Sequence, residues 1–149
     1  MTDTALIKFV VIKLGRQEFG IPVKHIIDVL PLQKIYPIPL APKHIMGSIN
    51  LRGKIVTALD IRLLLDIDDS TVPKKCIILE HAGELFSFIV DEIGEINSFL
   101  EEDLVKTPDN LSESWQAASK GIYTHSDKDE LVVILDLNAM IESMLKRAL

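Results

Sequence analysis

Phe19-Gly20-Ile21-Pro22-Val23-Lys24-His25-Ile26-Ile27-Asp28-Val29 is the stretch on which the fold turns. Apolar residues alternate through Phe19, Ile21 and Val23, the period of a strand with one face buried. From Val23 the spacing changes to three and four, through Ile26, Ile27 and Leu30, which predicts a helical turn leading into another strand. The pattern returns as Phe86-x-Phe88-x-Val90-x-x-Ile93-x-x-Ile96, shifted by 67 positions. A second pair, Val56-Thr-Ala-Leu-Asp60-Ile61 and Val132-Val-Ile-Leu-Asp136-Leu137, is shifted by 76 positions. Both echoes fit two copies of one small β unit, built as two small barrels around a shared core. A groove between them is the expected binding site.

The rest of the chain reads as short strands separated by turn signals. Leu6 to Leu14 is apolar apart from Lys8 and Lys13, and the turn Gly15-Arg16-Gln17 folds it back onto Glu18 to Ile21 as a hairpin. Pro37-Ile-Pro-Leu-Ala-Pro42 lacks the amide donors of a central strand and reads as an extended connector. A helical turn is expected at Lys43 to Met46. Strands at Gly47 to Leu51 and Lys54 to Leu59 flank the Arg52-Gly53 turn, a helical turn follows at Ile61 to Leu65, and Asp66 to Pro73 is a polar loop. Strands are expected at Lys75 to Glu80, Leu85 to Val90, Ile93 to Leu100, Gly121 to Tyr123 and Leu131 to Leu135. Asp109 to Ala118 reads as irregular or loosely helical. Met140, Ile141, Met144, Leu145 and Ala148 form one stripe of a C-terminal helix.

A length of 149 residues predicts a single domain. Its interleaved subdomains approximate to 14–70 and 74–136, with the terminal segments packing across. Net charge is −6 and aromatics make up 5%, which argues against a nucleic-acid partner. No apolar run approaches the ~20 residues of a membrane helix, and Asp3 at an N-terminus without a basic segment does not resemble a signal peptide. The single cysteine, Cys76, lies in an apolar run, reads as a buried strand residue and fits a reducing cytosol.

Catalytic patterns fail in turn. There is no phosphate loop, dinucleotide fingerprint or Gly-x-Ser-x-Gly elbow. His25, His44, His81 and His125 sit in unrelated contexts, so no metal and no cofactor is expected. Asp68-Asp69 and Glu101-Glu102-Asp103 read as solvated charge. Asp60 and Asp136 each end a strand before an apolar helical turn, the position of a capping carboxylate.

The segment Gly47-Ser-Ile-Asn50-Leu-Arg52-Gly53, preceded by Ile38-Pro39-x-Ala41-Pro42 and followed by Asp60-Ile61-Arg62, resembles the CheW family. Phe19-Gly20-Ile21, Phe88-Ile-Val90-Asp91 and Leu135-Asp136-Leu137 extend the resemblance over roughly Leu6 to Leu145. Ser48, the Thr57-Ala58 pair and the Asp109 to Ala118 segment depart from the family pattern. The resemblance implies a mainly β fold: two SH3-like five-stranded barrels around a shared core, with short helices and a C-terminal helix. It implies a cytoplasmic, non-catalytic scaffold recruited to receptor arrays. Its partners would be the cytoplasmic tip of methyl-accepting chemoreceptors and the regulatory, CheW-like domain of the histidine kinase CheA. An adaptor of twitching motility or developmental signalling is the alternative. By resemblance, Ile26, Asp28, Gly47, Asn50, Arg52 and Val90 are the receptor-contact candidates.

Overall fold

The computed structural model describes residues 6–67, 71–125 and 130–147. The apolar run at the start forms β1 (Leu6–Leu14), which turns at Gly15 and Arg16 into β2 (Gln17–Pro22). A 3-10 turn at Val23–His25 leads to β3 (Ile26–Pro31), so the change of period after Val23 marks a real change of structure. After the proline connector come β4 (Ile45–Leu51), β5 (Lys54–Leu59) and the short helix α1 (Ile61–Leu64). The second half repeats the order: β6 (Lys75–His81), β7 (Glu84–Val90), β8 (Glu92–Leu100), α2 (Glu113–Ala118), β9 (Ser119–His125), β10 (Glu130–Leu135) and α3 (Leu137–Arg147). The helical turn expected at Lys43 to Met46 is confined to one hydrogen-bonded turn, from Ile45 N to Pro42 O. Strand β4 already begins at Ile45, because a bulge between Ile45 and Gly47 keeps it paired with β5.

Two five-stranded sheets result, in the orders β8-β1-β2-β10-β9 and β3-β6-β7-β5-β4. The sequence echo runs across them. The hairpin β1–β2 joins the last three strands of the second half, and the hairpin β6–β7 joins the last three strands of the first. Both sheets contain one parallel pair at equivalent positions, Phe19 with Val133 and Phe86 with Thr57.

The burial pattern explains the near-continuous apolar strands. Alternate residues point to opposite sides of a strand. In β1, Val10, Ile12 and Leu14 enter the core common to both sheets, while Phe9 and Val11 enter a smaller core of the first sheet. In β6, Ile77 and Leu79 enter the common core, while Cys76 and Ile78 enter a smaller core of the second sheet. Gly20 and Ser87, again 67 positions apart, are the small residues of β2 and β7 on the minor-core side. A Cβ on Gly20 would lie 2.6 Å from Ile134 Cδ1. Ser87 Oγ is buried and has no hydrogen-bond partner among the described residues.

Each sheet also carries one isolated bridge to the connector crossing it, Tyr36 with Ser48 and Val105 with Ile122. Both bridges need a glycine beside them. Gly47 (φ 148°) and Gly121 (φ 155°) lie in backbone regions that side chains rarely enter. A Cβ there would come within 2.3 Å of Tyr36 O and 2.7 Å of Val105 O.

The chain passes from β7 to β8, and so from one sheet to the other, at the single residue Asp91. Its amide donates to Lys13 O at 3.0 Å. Its buried carboxylate accepts from Gly15 N at 2.6 Å and Thr71 Oγ1 at 2.5 Å. Arg62 Nη1 lies 3.6 Å from Asp91 Oδ1, while Arg62 Nε donates to Asp60 Oδ1 at 3.1 Å. One buried cluster thus joins the β1–β2 turn, helix α1 and the end of β7. Losing one partner of such a cluster leaves a buried charge uncompensated, which is strongly destabilising.

Helix α3 follows a strand of the first sheet yet is held by residues of the second. His44 Nε2 meets Met144 O at 2.8 Å. His81 Nδ1 and Nε2 meet Asn138 Oδ1 at 3.0 Å and Glu142 Oε1 at 2.8 Å. The Glu142 hydrogen bond raises the His81 pKa above 6.5, against a smaller effect of burial. A raised histidine pKa gives stability that is complete below the unfolded value and is lost as pH rises through the folded one. His25 has the opposite slope, because burial and then the charges of Lys24 and Lys120 lower its pKa. The difference between wild type and Glu142→Gln isolates His81. Chemical denaturation from about pH 6 to pH 8 is expected to show Glu142→Gln less stable at the acid end, the gap closing towards the alkaline end. A gap independent of pH would show that His81 does not titrate against Glu142.

Candidate functional site

The β4–β5 hairpin closes on two residues, with Leu51 paired to Lys54. Both turn residues have positive φ, Arg52 at 52° and Gly53 at 83°, as a type I′ turn requires. Asn50 fixes this geometry by accepting the Gly53 amide on Oδ1 at 3.0 Å. An arginine is thereby held at the hairpin tip, with its side chain 82% exposed.

Arg52 Nη2 lies 3.9 Å from Asp28 Oδ2. Asp28 belongs to β3, and β3 and β4 are opposite edges of the same sheet. The sheet is therefore curled until a hairpin at one edge reaches the strand at the other. Asp28 Oδ1 also accepts the Val29 amide at 2.8 Å. An ion pair this exposed contributes little to stability, which leaves both groups available for polar contacts with another molecule.

Asp28, Asn50 and Arg52 are thus brought together, but the other sequence candidates are not. A bulge separates Ile26, paired with Leu79, from Asp28, paired with Ile78. Leu79 faces the common core and Ile78 the minor one, so Ile26 and Asp28 face opposite sides. Ile26 is half-buried against the common core. Val90 is 0% exposed and packs in that core, so it offers no surface to line a groove. Gly47 is buried beside Tyr36 O and serves the backbone bridge. Exposed apolar side chains on the strands of the same sheet include Ile27 and Val29 on β3 and Ile55 on β5, which are 54%, 41% and 76% exposed.

The two aspartates at the strand ends meet backbone amides. Asp60 Oδ1 accepts from Arg62 N at 3.0 Å, and Asp136 Oδ1 accepts from Ala139 N at 3.1 Å. Asp60 has a second partner in the Arg62 side chain, so Asp60-Ile61-Arg62 is one end of the Asp91 cluster. Sequence reading treated these segments separately, and their shared signal was a carboxylate directly after a buried strand. Asp68 and Asp69 lie outside the described residues. Cys76 is buried. Among the described residues no group of three His, Cys, Asp or Glu side chains is placed to hold a metal ion, and no helix is long and apolar enough to cross a membrane.

The CheW-like domain model matches residues 8–144. The chain belongs to the CheW-like domain family. It is similar to the chemotaxis protein CheW of Rhizobium meliloti, at 22% identity over 91% of this chain and 88% of that one. It is also similar to the CheW of Helicobacter pylori, at 24% identity over 95% and 83%. Among solved structures it resembles the scaffolding protein TtCheW of Thermoanaerobacter tengcongensis, with a TM-score of 0.82 and 27% identity over 93% of this chain and 89% of that one. The two five-stranded sheets and the C-terminal helix are those of this CheW structure, so the mainly β fold expected from the sequence is present.

Gly47 and Arg52, five residues apart in one hairpin of this CheW-like fold, separate structure from surface. Gly47→Ala is expected to cost about 2 kcal/mol or more, because a strained backbone or a displaced Tyr36 carbonyl must result. Arg52→Ala should change stability by no more than about 0.5 kcal/mol. Thermal or urea unfolding of the two variants beside wild type measures this, and equal losses would place Arg52 in the structure rather than on the surface.

Proposed function

We propose that this chain is a non-catalytic scaffold of chemotaxis signalling that couples chemoreceptors to the histidine kinase CheA. The observation that carries the reading is its overlap, over nearly its whole length, with a scaffolding protein of the same family. The relatives named above are chemotaxis proteins, which favours that pathway over twitching motility or developmental signalling.

The geometry supports a scaffold with more than one docking surface. Ile55 and Leu131 occupy equivalent places in β5 and β10 and are 76% and 64% exposed. Val29 and Ile96 occupy equivalent places in β3 and β8 and are 41% and 64% exposed. Each sheet therefore offers a similar apolar pair to solvent. Isolated exposed side chains are ordinary on a protein surface; exposure repeated at equivalent positions of both sheets is a pattern. A receptor tip is a helical hairpin with an apolar stripe and nearby polar groups. Ile27, Val29 and Ile55 suit the stripe, and Arg52, oriented by Asp28, suits the carboxylates and carbonyls beside it. Asn50 holds the turn that presents Arg52, Gly47 holds the strand behind it, and Ile26 and Val90 support β3 from the core. The kinase regulatory domain, itself CheW-like, would meet the apolar ends of the sheets. The protein would work in the cytoplasm and reach the membrane only through its receptors.

Arg52→Ala tests this reading. Central arginine contacts can contribute ~2 kcal/mol or more to binding. Receptor-stimulated kinase activity, reconstituted from purified receptor, kinase and coupling protein, should fall at least tenfold at limiting coupling protein. The same sample should keep the wild-type unfolding curve. Full stimulation by the variant would remove Arg52 from the receptor surface.

A further inference from the structure

Two adjoining cavities, of about 90 and 270 Å³, open at the place where β2 gives way to the Val23–His25 turn. They share Ile7, Pro22 and Lys24, and so form one trench. Its floor is apolar: Phe99, Ile134 and Pro22 are buried, and Ile7 and Leu104 are half-buried beside them. Its rim is cationic. Lys24 and Lys120 line the smaller cavity, and Lys8 and Lys24 line the larger. All three lysines are exposed. None of them makes an ion pair or a side-chain hydrogen bond among the described residues, although the chain carries a net charge of −6. Glu101 is the only carboxylate on the lining, against three ammonium groups.

The neighbouring histidine feels this charge. Burial lowers the His25 pKa, and Lys24 and then Lys120 lower it further, against an opposing effect of Asp136. Two cations thus converge on one end of an apolar trench and have no anion of their own.

The lining also selects the kind of anion. Apart from the lysines and Glu101, every lining side chain is a hydrocarbon. A peptide would bring backbone amides that only Glu101 could accept, and burying such groups unpaired is costly. A hydrocarbon chain with one charged end leaves nothing unpaired, which matches a mostly apolar site with a few polar groups that fix orientation.

We propose that this trench binds an amphipathic monoanion, a carboxylate on an acyl chain, with the head between Lys24 and Lys120 and the chain lying over Pro22 and Ile7 towards Lys8. Lys8 and Lys120 stand on strands of the first sheet, whereas the Arg52 hairpin belongs to the second. The site is therefore separate from the Arg52 surface and does not depend on the scaffold reading.

NMR titration of the purified chain with decanoate, octanoate, acetate and 1-octanol tests the site. Decanoate should bind about tenfold tighter than octanoate, the effect of burying two more methylenes. Acetate, which lacks the chain, and 1-octanol, which lacks the charge, should bind far more weakly than octanoate. Replacing Lys24→Glu and Lys120→Glu together should weaken decanoate by about tenfold or more. The wild-type unfolding curve should be kept, because both lysines are exposed and unpaired. Saturating decanoate should raise the His25 pKa by offsetting the two cations. By reciprocity, decanoate should then bind more tightly as pH falls through the His25 titration. Binding of 1-octanol as tight as that of octanoate would overturn the anionic head. Unchanged decanoate affinity in the double variant, or an unmoved His25, would place the carboxylate elsewhere and overturn the site. Hexaglutamate that binds at Lys24 and Lys120 where decanoate does not would overturn the acyl ligand in favour of an acidic peptide.

Discussion

The two sheets share one core because their central strands are apolar on both sides. Phe19, Phe86 and Phe88 enter the common core from β2 and β7, together with Ile12, Ile77 and Val133 from the strands beside them. Neither sheet can bury that face alone. Removing one such aromatic costs about 3–5 kcal/mol, a large part of the 5–15 kcal/mol that a domain commonly possesses. The sheets are thus expected to fold as one unit, and the relative placement of their surfaces follows from this core.

Polar contacts then fix how the chain crosses between the sheets. Asp91 is the only residue between β7 and β8, and its carboxylate binds the opposite hairpin at Gly15. Arg62 joins it to the Asp60 cap of α1. Helix α3 adds a second tie, from a strand of one sheet to His44 and His81 beside the strands of the other. These ties hold the Arg52 hairpin in a fixed relation to the rest of the molecule.

Much of this was legible in the sequence because strands alternate and the alternation is duplicated. The echo of Phe19 in Phe86, and of Asp60 in Asp136, named equivalent strands before any coordinates. Interleaved subdomains were expected, but which hairpin joins which sheet was not legible, since periodicity identifies a strand and not its neighbours. Val90 looked like a groove residue because it follows the repeated strand, but that strand is buried on both sides, which one copy of the pattern cannot reveal. The hairpin at Arg52 was visible through Gly53, yet its pairing with Asp28 depends on the curl of a whole sheet.

A scaffold acts by holding two other proteins together, so its central claim concerns co-localisation. The direct measurement is sedimentation of purified kinase with receptor-containing membranes, with and without this chain. The account predicts that kinase pellets with the membranes in proportion to the chain added, up to saturation, and stays in the supernatant without it. Kinase that pellets equally in its absence, or never pellets in its presence, would contradict the account.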